Sequence, residues 1–355
     1  MPGGDSPSDV YGLELAGEED AFAAREAATA AGGVRVVATG LALADGVDRT
    51  AARRLAYTRS VLDLLGRTDA DPRSARAVVA ASDLRGVRPA SGSVAVRARV
   101  VRDSAPVSTA ETERRCGAAL VDRGFSVDLD DPEHVLRVLF ADDTCLVGWV
   151  AAESVRDFGT RKPTDRPFFQ PGSMDPMDAR AYANLAGAGA GRRLLDPMCG
   201  TGGTLIEAGL AGSDVVGVDA QAKMVRGSRE NLGRYVPDAD RAVLRGDATA
   251  LPLRDDSVDG VVFDAPYGRQ SKIARHDLSD LVAGALSEAA RVAPRGVLVA
   301  DRSWRDAAVS AGWRVTDAFE RRVHRSLVRH VHVLERVRDR SEPGRRPTQP
   351  LSNRR

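Results

Sequence analysis

The sequence predicts an α/β protein whose C-terminal half is a Rossmann-like parallel sheet and whose N-terminal half is an α+β, ferredoxin-like region. Three observations carry this. From Leu194 onward the pattern strand, turn, helix repeats, which builds a parallel sheet with helical crossovers. Asp196, Asp219, Asp247 and Asp264 stand in order at or just beyond the ends of successive strands, the edge where such sheets bind ligands. Upstream, residues 93–101 alternate, with Val94, Val96, Ala98 and Val100 on one face and Ala95, Arg97 and Arg99 on the other, as a half-exposed strand does.

The chain has 355 residues, 43% hydrophobic and 28% charged, enough for two or three domains with sizeable cores. No apolar run is long enough to span a bilayer, and residues 1–10 lack a signal-peptide pattern, so a cytoplasmic location is expected. Cys116, Cys145 and Cys199 have no C-x-x-C spacing, so neither a disulfide framework nor a metal is expected. Net charge is +1, yet residues 321–355 hold eleven Arg against three acids. Lysine occurs only at 162, 223 and 272, so arginine usage is global and carries no nucleic-acid signal by itself.

In chain order, residues 1–10 are Gly-, Ser- and Pro-rich and expected to be disordered. Residues 11–71 read as a ferredoxin-like unit: strands at 11–14 and 34–38, helices at 18–31 and 49–65, the last anchored by Leu55, Val61 and Leu64. Residues 72–155 form a second unit. Ser108 and Glu111 make a capping-box pattern opening a helix over 109–121, and strands at 135–140 and 144–151 pair around Asp142-Asp143. Arg97 and Arg99 either contact RNA or merely solvate a sheet face. Residues 156–178 are a Pro-containing, semi-rigid linker whose Pro167-Phe168-Phe169 is too apolar to be a solvated tether and is expected to pack on the C-terminal domain. Arg161, Lys162 and Arg166 are candidate RNA-phosphate contacts, with a solvated basic linker as the other reading.

Residues 179–336 hold the candidate site. Asp196-Pro197-Met198-Cys199-Gly200-Thr201-Gly202-Gly203 precedes an apolar helix start, and Asp219 follows Gly200 by nineteen residues. Glycines permit a tight turn and close approach to a ligand, and an acid at that spacing suits ribose hydroxyls. A dinucleotide fingerprint fits less well, because Leu205 stands where a third small residue is needed. The acid opening the turn, Asp196, points to S-adenosylmethionine (SAM), whose ammonium and sulfonium centres favour carboxylates. Cys199, Gly200, Thr201 and Gly202 form the turn, and Asp247 with the N–H of Ala248 suits adenine. Residues 337–355 are Pro- and Arg-rich, expected as a disordered basic tail.

Asp264-Ala265-Pro266-Tyr267 resembles the (Asp/Asn)-Pro-Pro-(Tyr/Phe) motif of methyltransferases acting on exocyclic amino groups of nucleobases. A carboxylate and a backbone carbonyl accept the amine's N–H bonds, and the ring stacks on the base. Residues 127–140 resemble the end of a THUMP domain, an RNA-binding module. With the linker Arg166-Pro167-Phe168-Phe169-Gln170-Pro171-Gly172-Ser173-Met174, the chain resembles the archaeal tRNA (guanine-N2)-dimethyltransferases acting on guanine 10. That resemblance implies a THUMP domain at 72–155 that docks tRNA, and a SAM-dependent domain at 179–336. It also implies transfer of one or two methyl groups to guanine N2. Ala265 departs from the family's second-position proline, removing a φ constraint worth roughly 1 kcal/mol or less. Beside this reading stand a methyltransferase on another tRNA or rRNA guanine, a DNA adenine-N6 methyltransferase, and a non-catalytic tRNA-binding protein.

Overall fold

The computed structural model of the chain describes residues 10–266, 278–324 and 327–337. The tails expected to be disordered lie outside these, apart from Val10 and Val337. Sixteen strands and nine α-helices are found among the described residues.

The N-terminal half contains β1 (Tyr11–Leu15), α1 (Asp20–Ala27), β2 (Ala31–Gly32), β3 (Arg35–Ala38), β4 (Leu41–Ala44), β5 (Gly46–Val47), α2 (Arg49–Ala52), β6 (Thr58–Asp69), α3 (Pro72–Ala81), β7 (Val94–Val100), α4 (Thr109–Asp122), β8 (His134–Ala141) and β9 (Thr144–Glu153). One seven-stranded sheet, in the order β3-β4-β1-β6-β9-β8-β7, runs through the whole half. All its pairs are antiparallel except β7 with β8, so the sheet is mixed. β2 and β5 make a separate short ribbon.

The expected helix over residues 49–65 is corrected. Asp48 accepts from Thr50 N and Ala51 N and starts a helix, but only four residues follow. The chain then becomes β6, paired with β1 on one side and β9 on the other. A central strand covered on both faces buries consecutive apolar residues, here Val61 and Leu62, and so loses the alternation that marks a strand. α3 shows its start plainly: Asp71 accepts from Arg73 N and Ser74 N, with Pro72 at the first position. Of the capping box at α4, the Ser108 half is present; Glu111 instead bonds Arg115 at 2.7 Å.

The C-terminal half contains α5 (Pro176–Leu185), β10 (Arg193–Asp196), α6 (Gly203–Leu210), β11 (Asp214–Asp219), α7 (Ala222–Tyr235), β12 (Arg241–Arg245), β13 (Gly260–Asp264), α8 (Leu278–Val292), β14 (Arg295–Ala300), α9 (Arg305–Ser310), β15 (Trp313–His324) and β16 (Leu327–Arg336). Its sheet runs β12-β11-β10-β13-β14-β16-β15. The first five strands are parallel, and β16 and β15 close it antiparallel. From β10 the chain winds outward to β12, then crosses back to β13. The switch point therefore lies between β10 and β13, where a crevice opens at the strands' carboxyl ends.

The halves share a core. Phe22 of α1 meets Tyr57, Tyr182 and Phe319 edge-on. The Tyr57 hydroxyl donates to Asp178 at 2.6 Å and accepts from Arg321 at 2.7 Å. The Arg321 guanidinium lies 3.9 Å from the Phe22 ring centre and 4.5 Å from that of Tyr57. Buried Glu26 accepts from Ala56 N, Tyr57 N and Asn184. Desolvation raises its pKa against those bonds. Such a joint is buried, aromatic and hydrogen-bonded, unlike the more exposed interfaces of freely hinging domains.

Candidate active site

β10 ends on Asp196 and its neighbour β13 ends on Asp264, so the switch point brings the two acids to one edge. They share a cavity of about 160 Å³ with Cys199, Gly200, Thr201 and Gly203 of the turn. Its other wall is the end of the linker, Gln170 to Met174, with Met224 from α7; the linker packs on this domain as expected, and the structure adds that it lines the cavity.

The turn is held by backbone and carboxylate together. Asp196 accepts from Met198 N at 3.0 Å. Cys199 N donates to Val218 O at 3.0 Å, and Gly200 N to Asp219 at 3.0 Å. Asp219 also accepts from Gln221 N, leaving lone pairs on both oxygens for a ligand's hydroxyls. Gly202 has φ +78°, and a Cβ there would stand 2.5 Å from the Ser228 hydroxyl; only glycine fits. Asp247 accepts from Thr249 N and its hydroxyl, which fixes the carboxylate beside buried Ala248.

Charge at the site is negative. Burial pushes the Asp196 carboxyl up to about 8, opposed by the Met198 N–H and reinforced by the charges of Asp264 and Asp219. Asp219 is raised by burial, against the N–H bonds of Gln221 and Gly200. Burial also raises the Cys199 thiol, which makes it a packing residue rather than a nucleophile. A cluster of partly desolvated carboxylates favours a cationic ligand, and SAM, with ammonium and sulfonium centres, fits that donor set. Typical small-molecule pockets begin at about 300 Å³, so the enclosed space suits the reacting end of such a ligand. Among the described residues no group of three or more His, Cys, Asp or Glu is placed to hold a metal.

At the acceptor side, Ala265 is buried and its N–H donates to Val299 O at 2.8 Å. A proline there has no N–H to give, so the departure at Ala265 exchanges ring rigidity for a sheet hydrogen bond. Pro266 is half-buried. Tyr267 lies outside the described residues.

The arginines expected at RNA are placed differently. Arg161 is buried and bonds Glu207 at 2.6 Å, and Arg166 is buried against the turn. Neither reaches solvent, which corrects their reading as phosphate contacts. Their stems follow the linker inward because Phe168 packs on Gly227 of α7. Lys162, between them, is exposed. Arg97 donates to Leu129 O at 2.5 Å, and Arg99 pairs with buried Glu14 at 2.9 Å while staying 43% exposed.

Sequence reasoning missed Asn231 and Glu207. Asn231 on α7 is fully buried; its amide donates to Phe168 O and Thr201 O and accepts from Phe168 N, tying linker to turn. Glu207, an acid inside the apolar start of α6, was the one visible signal of a buried partner.

Residues 78–150 match the family described as the THUMP domain, and residues 163–330 the family described as RMKL-like, methyltransferase domain. The chain is 38% identical over 291 residues to a tRNA (guanine(10)-N2)-dimethyltransferase of Methanothermobacter thermautotrophicus, covering 80% of this chain and 84% of that one. The chain belongs to the tRNA (guanine(10)-N2)-dimethyltransferase family. A second member of this dimethyltransferase family, from Pyrococcus abyssi, is 32% identical across 69% of this chain and 74% of its own length. A tRNA (guanine(6)-N2)-methyltransferase of Thermus thermophilus is 32% identical over 50% of this chain and 52% of its own.

Proposed function

We propose that this chain transfers one or two methyl groups from SAM to the exocyclic N2 of a guanine in tRNA, guanine 10 above all. The supporting observation is the pairing of Asp264 with a carboxylate-lined cavity at the switch point, in a chain of this family. SAM, when bound, supplies an electrophilic methyl group. Asp264 orients the guanine N–H and receives the proton as the N–C bond forms; the amine is barely basic, so early deprotonation is not required. The Ala265 carbonyl is proposed to accept the second N–H, Pro266 to hold it extended, and Tyr267 to replace the stacking lost when the base leaves the helix. Asp219 is assigned to the ribose, Asp247 and Ala248 to adenine, and the turn Cys199 to Gly202 to the methionyl part. The THUMP-containing half is assigned to docking tRNA.

Nucleoside mass spectrometry of unmodified tRNA after incubation with the chain and SAM tests this. Methylated guanosine is expected at N2, and replacing guanine 10 by adenosine should abolish it. Methylation surviving that replacement would move the target to another guanine, as in the Thermus relative. Methylation of duplex DNA but not tRNA, or SAM binding without transfer, would overturn the reading.

A further inference from the structure

α6 begins at Gly203 in the cavity wall, so the positive end of its dipole meets the space. Against that same residue lies Arg166. It is 5% exposed; Nε donates to Arg161 O at 3.2 Å, and neither Nη1 nor Nη2 has a partner among the described residues. The guanidinium occupies the space that a side chain at 203 would take, since a Cβ there would stand 2.8 Å from Nη1 and 3.7 Å from Nη2.

The nearest candidate counter-charge is already used. Glu207, one turn along α6, is held by Arg161 at 2.6 Å and Arg180 at 2.9 Å. Asp175 acts on Arg166 through space, while its carboxylate caps α5 through Met177 N. A buried guanidinium with two open amino groups is costly unless an anion completes it. Arg166 lies against Gly203 at the edge of the cavity and is not one of its lining residues, whose own charges, Asp196 and Asp264, suit cations; a ligand that satisfies both must carry both signs.

We infer that Arg166, with the N-terminus of α6, is the positive pole that receives the α-carboxylate of the methyl donor's methionyl group. This rests on the methyltransferase reading and deepens it. Gly203 is then required because any side chain there would displace the guanidinium. The arginine acts as a binding residue, not a catalytic one.

Calorimetric titration of the full chain separates the cases. S-adenosylhomocysteine keeps the carboxylate, and 5′-deoxy-5′-methylthioadenosine lacks it. Arg166→Met should weaken the first at least tenfold and leave the second within twofold. Arg166→Lys should recover most of the loss, and Gly203→Ala should lower the ratio of the two affinities as Arg166→Met does. Equal losses on both ligands would make Arg166 a packing residue, and no loss on the first would remove it from the site. Should Arg166→Met fail to fold, the lysine and Gly203→Ala variants carry the same comparison. A wild-type chain that binds neither ligand would instead sink the methyltransferase reading, and this inference with it.

Discussion

The two sheets carry their candidate functional groups in opposite ways. On the C-terminal sheet the acids stand at strand ends beside the switch point, where the backbone fixes them and space opens in front. On the N-terminal sheet Arg97 and Arg99 stand within β7, Arg97 at its centre and Arg99 one residue from its end, and both bond inside the protein, to Leu129 O and Glu14. A side chain at a strand end is positioned toward a ligand at little cost. One in mid-strand sits among neighbours and is drawn into their pairings.

The sharpest test of that contrast is Asp264→Asn. The amide keeps an acceptor oxygen but cannot take the proton, so single-turnover methylation should fall roughly a hundredfold or more, with SAM and tRNA affinities within twofold. A wild-type rate would leave Asp264 as a turn residue.

Next comes the joint between the sheets. Asp178→Ala strips Arg321 and Arg329 of a shared carboxylate 3.3 and 3.5 Å away, which should cost about 3 kcal/mol of stability, read by denaturant unfolding. Unchanged stability would mean that the Asp178 ion pairs add nothing to the joint beyond its apolar contacts and the Glu26–Asn184 bond.

The third test uses pH. A carboxyl at about 8 is mostly neutral in the free protein at pH 7, and a cation beside it favours ionisation. SAM binding below pH 8 should therefore release a proton, and affinity should weaken as pH falls toward 6, by at most about tenfold per unit. In the free protein the same shift lowers stability as pH climbs from about 4 to 8, because the folded state holds a proton that the unfolded chain gives up. Calorimetry in two buffers of different ionisation enthalpy reads the proton, and Asp196→Asn should flatten the profile.

The smallest effects belong to the basic residues. Lys162→Ala should reduce the salt dependence of tRNA binding by about one phosphate contact. Arg99→Ala should leave tRNA affinity within twofold and instead lower thermal stability, since it removes the 2.9 Å ion pair of buried Glu14 and leaves it only Ser60 Oγ at 3.1 Å and Arg59 at 4.0 Å. A large loss of tRNA affinity in Arg99→Ala would reverse the comparison drawn above.

The legible part of the molecule follows the same division. Asp196, Asp219, Asp247 and Asp264 stand out as candidates because each ends a short local pattern, so one window of sequence contains its whole context; of the four, Asp196 and Asp264 line the cavity. β6 was misread because its burial on both faces erased the period. The inward turn of Arg161 and Arg166 was invisible for another reason: it depends on Glu207 and Gly203, about forty residues away, and on Phe168 meeting Gly227. Asn231 gives no local sign at all. The ring expected to stack on the base, Tyr267, lies outside the described residues.

The joint between the halves also sets an order of events during synthesis. Phe22 belongs to the first helix, whereas Phe319 and Arg321 come from the penultimate strand. At about 5–20 residues per second, the ribosome needs roughly 15–60 s to make the intervening chain. Once β9 is made the N-terminal sheet has all its strands, while the sides of Phe22 and Tyr57 that meet Phe319 and Arg321 stay uncovered until β15 is made. The N-terminal half therefore emerges with part of its aromatic surface uncovered and is completed only when the last hairpin arrives.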